Sequence, residues 1–144
     1  MIRATLDVNV LASGSPAETG PPAALIDHWT NLDFELILSE HILNGLARAW
    51  QKPDFRQRYR HNQIEATLSL LRTEATLVIP VTNIRGVAAD LEDDLVLATA
   101  IAGDANFLVT GDRYLQALVQ YRNTIILSPR QFLDVLAEER GDPP

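Results

Sequence analysis

The chain has 144 residues, no cysteine, and 19 acidic against 12 basic side chains, for a formal net charge of −7. Apolar residues make up 47% of it and charged ones 22%, enough apolar surface for a real core and too little charge for a disordered chain, and the length suits one domain. Without thiols there is no disulfide framework, cysteine-held zinc or cysteine nucleophile, so any metal must rest on oxygen or imidazole.

Taken in order, residues 4–6 read as a first strand that ends on Asp7, and 14–22 as a loop rich in Gly, Pro and Ser. A helix is expected over 21–30, a strand over 34–38, and a helix over 39–50 that Ser39 can cap. Residues 53–74 carry a helical period with a break near Arg60, followed by a strand over 76–79. The apolar helix 91–102 is stopped by Gly103; a strand over 107–110, a helix over 114–119 and a strand over 124–127 follow. Ser128-Pro129 pairs an N-cap with a first-turn proline to open a last helix over 129–140, and Gly141 closes it. Residues 1–140 are expected to form one domain and 141–144 a disordered tail. The strands are short, continuous apolar runs, which predicts helices on both faces of a mostly parallel sheet: an α/β, three-layer α/β/α sandwich.

In an open α/β sheet, ligands sit beyond the carboxyl ends of the strands. Asp7 follows the first strand, Asp112 follows the strand 107–110, and Asp93 lies in the acidic opening of helix 91–102. Convergent carboxylates without Cys or clustered His suit Mg²⁺ or Mn²⁺. Singly, each acid has a plainer reading: Asp90, Glu92, Asp93 and Asp94 suit a helix N-terminus, and Gly111-Asp112 suits a turn.

The segments Asp7-Val8-Asn9-Val10-Leu11, Asp93-Asp94-Leu95-Val96-Leu97-Ala98-Thr99-Ala100 and Leu108-Val109-Thr110-Gly111-Asp112 resemble, in order and spacing, the three acidic motifs of the PIN domain (PilT N-terminus) family. Leu38-Ser39-Glu40 and Leu127-Ser128-Pro129-Arg130-Gln131-Phe132-Leu133 are similar to the branch of toxins in toxin–antitoxin pairs. The resemblance implies a PIN-like fold and a Mg²⁺- or Mn²⁺-dependent nuclease cleaving single-stranded RNA, with Asp7, Asp93 and Asp112 as catalytic metal ligands. It also implies Asn9, Thr110 and Asp90 as supports, in-line hydrolysis to a 5′-phosphate, and a cognate antitoxin or a second copy as partner. One departure stands out. The family's acid on the second long helix aligns with Gly45 in Ser39-Glu40-His41-Ile42-Leu43-Asn44-Gly45-Leu46. Glu40 lies about 140° round the helix from that position, and His41 shares its face. Asp90 and Asp94 are further stand-ins, Asp94 being expected to point outward. A non-catalytic PIN protein that binds RNA or a protein partner is the alternative.

Between Arg48 and Arg60 the chain carries Arg48, Lys52, Arg56, Arg58 and Arg60 against Asp54 alone, interleaved with Trp50, Phe55 and Tyr59. That mixture suits phosphates and unpaired bases, as well as an ordinary solvated helix face. Arg56, Arg58, Arg60 and Arg113 are the expected substrate contacts. The only lysine, Lys52, is expected far from every strand end; with no Lys-Ser or Lys-Thr after the glycines and no Gly-x-Ser-x-Gly, P-loop and hydrolase-triad chemistries drop out. His28, His41 and His61 lack zinc-ligand spacing. The acid at Asp7 and the short apolar run 95–102 predict no secretion signal and no membrane span, hence a cytoplasmic protein.

Overall fold

Four apolar runs form the parallel centre of the sheet. They are β1 (Arg3–Leu6), β2 (Glu35–Leu38), β4 (Phe107–Val109) and β6 (Thr124–Leu127), and the two-residue strands β3 (Thr76–Leu77) and β5 (Gln120–Tyr121) flank them. The computed structural model describes residues 1–14, 19–57, 59–88 and 90–141. Strand order is β3-β2-β1-β4-β6-β5, with every pairing parallel except β5 on β6. Ala4 pairs with Leu36 on one side and Phe107 on the other, and Leu108 with Ile126. The residues Ala4, Thr5 and Leu6 are each 0% exposed, as a strand covered on both faces requires.

The helices are α1 (Val8–Gly14), α2 (Pro21–Thr30), α3 (Glu40–Ala49), α4 (Pro53–Arg56), α5 (His61–Glu74), α6 (Leu91–Ala102), α7 (Arg113–Gln116) and α8 (Pro129–Glu139). Helix α6 packs across β1, β2 and β4, while α8 packs on β6 and α2. Phe132 of α8 meets Phe34 edge-on at 5.1 Å and Phe107 at 5.5 Å. The result is the expected three-layer α/β/α arrangement. Gly103, ending α6, is dictated by close approach, since a β-carbon there would lie 2.3 Å from Ile37 Cγ2.

The local differences have physical causes. Helix α1 is absent from the sequence reading: Asp7 caps it by accepting from Val10 N at 3.0 Å, so the chain turns into a helix at once, and Gly14 belongs to that helix while residues 15–18 of the expected loop lie outside the described ones. The helical break falls near Arg60 as expected, between α4 and α5, and Arg60 stands at the N-cap of α5, its N–H donating to Gln63 Oε1. Helix α7 is a single turn starting at Arg113, and Val119 has a φ of 63°, which a helix running to 119 cannot accommodate. Strand β3 stops at Leu77, and Ile79 is 88% exposed. Strand β4 ends at Val109, one residue short of expectation, and α8 at Glu139. Of the expected tail, only Gly141 lies among the described residues.

Candidate active site

From β1 the chain leads through α1 and α2 to β2 on one side, while β4 joins β1 on the other, so the order reverses between β1 and β4. A crevice opens at such a switch point, beyond the carboxyl ends of the two strands. Asp7 follows β1 directly, and Thr110-Gly111-Asp112 follows β4. Backbone bonds fix the junction: Asp7 N donates to Val109 O at 3.0 Å, and Thr110 N to Leu127 O at 2.9 Å.

The Thr110 hydroxyl ties the two acids together. Fully buried, it donates to Asp7 Oδ2 and accepts from Asp112 N at 3.0 Å. Asp112 also caps α7, its Oδ1 accepting from Tyr114 N at 2.8 Å and Leu115 N at 3.4 Å. Asp93 reaches the same region from the first turn of α6, where Asp90 caps the helix by accepting from Asp93 N at 2.8 Å. Asp7, Asn9, Glu92 and Asp93 line one open cleft of about 390 Å³ with Gly45, Arg48 and Lys52. Asp112 lies beside this cleft and does not line it. Arg113 is exposed and also outside the lining.

Burial pushes the Asp7 carboxyl above its ordinary range; hydrogen bonds from Thr110 and Val10 oppose that, and the nearby Asp112 adds to it. Asp93 is raised to about 6, first by burial, then by the negative charges of Asp90, Asp112, Asp7 and Asp94. Asp112 thus bears on both Asp7 and Asp93, as like charges brought close together do. Oxygen donors alone suit a hard divalent ion. Among the described residues no group of three His, Cys, Asp or Glu side chains is gathered closely enough to hold a metal ion. Asp90 and Asp112 each give one carboxylate oxygen to a helix cap, while Asp7 accepts from Val10 N through Oδ1 and from Thr110 through Oδ2. Asp7 and Asp93 remain at the cleft, and Mg²⁺, which keeps most of its waters, is commonly held by one or two carboxylates. The donor set therefore fits such an ion.

Several expectations are corrected. Asp94 does not point outward: it is 4% exposed and accepts from Gly86 N at 2.8 Å, Val87 N at 3.1 Å and Ala88 N at 2.7 Å, so it anchors the loop before α6. Lys52 is not distant from the strand ends, because the turn after α3 carries it to the cleft. His41 is half-buried and meets Glu92 at 3.0 Å, bridging α3 to α6. Glu92, Arg48 and Lys52 were not singled out for the acidic site by sequence reasoning. Only Arg48 carries a local signal, helical spacing, since positions 41, 45 and 48 fall on one face of α3. Arg56 and Arg60 line a neighbouring polar hollow of about 500 Å³ with Tyr59 and His61, whereas Arg58 lies outside the described residues.

Gly45 has a packing role besides lacking a carboxylate. A β-carbon there would lie 2.9 Å from Val8 Cγ2 and 3.7 Å from Arg48 Nη2, so its absence lets α1 close on α3.

A family model described as PIN domain matches residues 3–114. No curated protein matches the chain.

Proposed function

The chain belongs to the PIN domain family, a family generally of metal-dependent nucleases, and from that premise we propose that it is a Mg²⁺- or Mn²⁺-dependent ribonuclease cleaving single-stranded RNA. The observation that carries the reading is the convergence of Asp7, Asp93 and Asp112 at the β1/β4 switch point, where Asp7 and Asp112 add to the burial that raises Asp93. Asp7 and Asp93 would hold the ion, with Asp112 beside them. When bound, a divalent ion activates a water for attack on phosphorus and offsets the charge that develops on the phosphate oxygens. The protein's share is orientation. Thr110 fixes the rotamer of Asp7, Asp90 fixes the turn that presents Asp93, and Asn9 offers an amide at the cleft wall. Arg56, Arg58, Arg60 and Arg113 would contact the RNA backbone.

The sequence similarity around Ser39 and Ser128 supports a finer reading, the cytoplasmic toxin of a toxin–antitoxin pair whose antitoxin covers the cleft. No helix among the described residues is long and apolar enough to cross a membrane. Gly45, standing where the family's second-helix acid aligns, favours one second reading, a PIN protein that binds RNA without cutting it. Purified protein on a panel of single-stranded RNAs with Mg²⁺, Mn²⁺ or excess EDTA decides between them. The ribonuclease reading expects ion-dependent cleavage that Asp7→Asn and Asp93→Asn abolish with folding intact. Cleavage that persists in EDTA or in both variants overturns it, and RNA binding without cleavage under either ion selects the second reading.

A further inference from the structure

The cleft has two walls of opposite sign. Asp7, Glu92 and Asp93 form one, from the end of β1 and the first turn of α6; Arg48 and Lys52 form the other, from the last turn of α3 and the turn that follows it. These walls do not neutralise each other. The ion pairs among the described residues are His28–Asp33, His41–Glu92, His61–Glu65, Arg72–Glu40 and Arg140–Asp33, and neither Arg48 nor Lys52 takes part in one. Arg48 nonetheless turns inward: its Nη2 lies 3.7 Å from where a Gly45 β-carbon would stand, so the guanidinium folds back along α3 over the bare glycine.

Opposite charges held apart across one cleft match a ligand of both signs, a cation against the carboxylates and an oxyanion against the guanidinium and ammonium. A guanidinium suits a phosphate through paired N–H donors, and an ammonium suits it as a compact point charge. The surroundings favour a polymer over a single ion. Ala49 and Lys52 line the cleft, while Trp50 and Gln51 between them line the adjoining hollow with Arg56 and Arg60. One turn of chain thus joins two cationic surfaces.

We propose that Arg48 and Lys52 form the phosphate subsite of this cleft, binding a backbone phosphate of single-stranded nucleic acid directly and without help from a divalent ion. The proposal rests on the ribonuclease reading for the kind of ligand, but it is separable from it, because binding does not require hydrolysis. With this subsite, the positive charge facing the phosphate from α3 belongs to the protein, and only the acidic wall needs an ion.

The test is fluorescence anisotropy of a labelled oligouridine with 2′-O-methyl riboses, titrated with full-length protein in EDTA over a range of salt. Wild type is expected to bind. Arg48→Ala and Lys52→Ala should each weaken binding about 5- to 10-fold and lower the slope of log K against log salt by about 0.7. Arg122→Ala, on the β5–β6 turn at the opposite end of the sheet, should change neither. Wild-type affinity and slope in both variants, or no binding by wild type in EDTA, overturns the subsite. Metal-dependent cleavage with unaltered binding in both variants overturns the subsite alone. Loss of binding in the variants of a protein that cuts no RNA overturns the ribonuclease reading alone.

Discussion

At the scale of single residues, Asp93 makes a pH prediction whose direction follows from its environment. Its carboxyl is held at about 6 instead of 3.8 by burial and then by Asp90, Asp112 and Asp7. The folded state therefore holds that proton more tightly than the unfolded chain, and this residue's effect on stability turns unfavourable as pH rises from 3.8 through about 6. Asp93→Asn should accordingly melt above wild type in metal-free buffer near about pH 7, with the gap closing towards about pH 4. Thermal melts across that range check it, and a gap independent of pH overturns it. Two buried threonines offer a matched contrast. The Thr110 hydroxyl bridges Asp7 and Asp112 N, whereas Thr5 Oγ1 has no partner. Thr110→Val should cost about 1–3 kcal/mol in urea unfolding because it strips a buried carboxylate and an amide, while Thr5→Val should be neutral or stabilise by up to about 1 kcal/mol. Asp7, Asp93 and Asp112 were legible because motif order survives in one dimension. The roles of Asp94 and Lys52 were not, since each depends on a loop or turn whose path no local pattern encodes.

At the scale of elements, the cleft is set by how α1, α3 and α6 are held together. Ser39, the fully buried N-cap of α3, bonds Thr99 of α6 at 2.8 Å. Because Thr99 donates onward to Leu95 O at 2.9 Å, the Ser39 hydroxyl is the donor between them. His41–Glu92 adds a second tie between α3 and α6, at the cleft that Glu92 lines. On the other flank α1 closes on α3 at Gly45 and Val8. Restoring an acid there is therefore more than adding a ligand. Gly45→Glu should destabilise the protein, its β-carbon forcing Val8 aside at about 1–3 kcal/mol against about 1 kcal/mol regained in helix propensity. The double variant with Val8→Ala should recover stability relative to the single one, as urea melts can show; strictly additive losses would mean that the two side chains do not meet. Most of these elements could be read from capping residues and periodicity. Helix α1 could not, because the aspartate that caps it also ends a strand and was read for its chemistry alone. Strand β5 is only two residues long and carries too little pattern to stand out from a turn.

At the scale of the whole molecule, the net charge of −7 conceals an arrangement that matters more than its sum. Acids gather at the β1/β4 switch point, and Arg48, Lys52, Arg56 and Arg60 line that cleft and the hollow beside it. A phosphate approaching the protein would thus meet its repulsive acids and its attractive arginines within one depression, and the field along its path depends on what neutralises the acids. The sheet itself limits how two copies could meet. Both of its outermost strands, β3 and β5, are only two residues long, and β5 runs against its neighbour. Such stubs offer almost no row of free backbone groups to template a further strand. Growth of the sheet from one molecule into the next is thus disfavoured, and any contact between copies would fall on side chains of helical or loop faces, away from the strands that Asp7 and Asp112 follow.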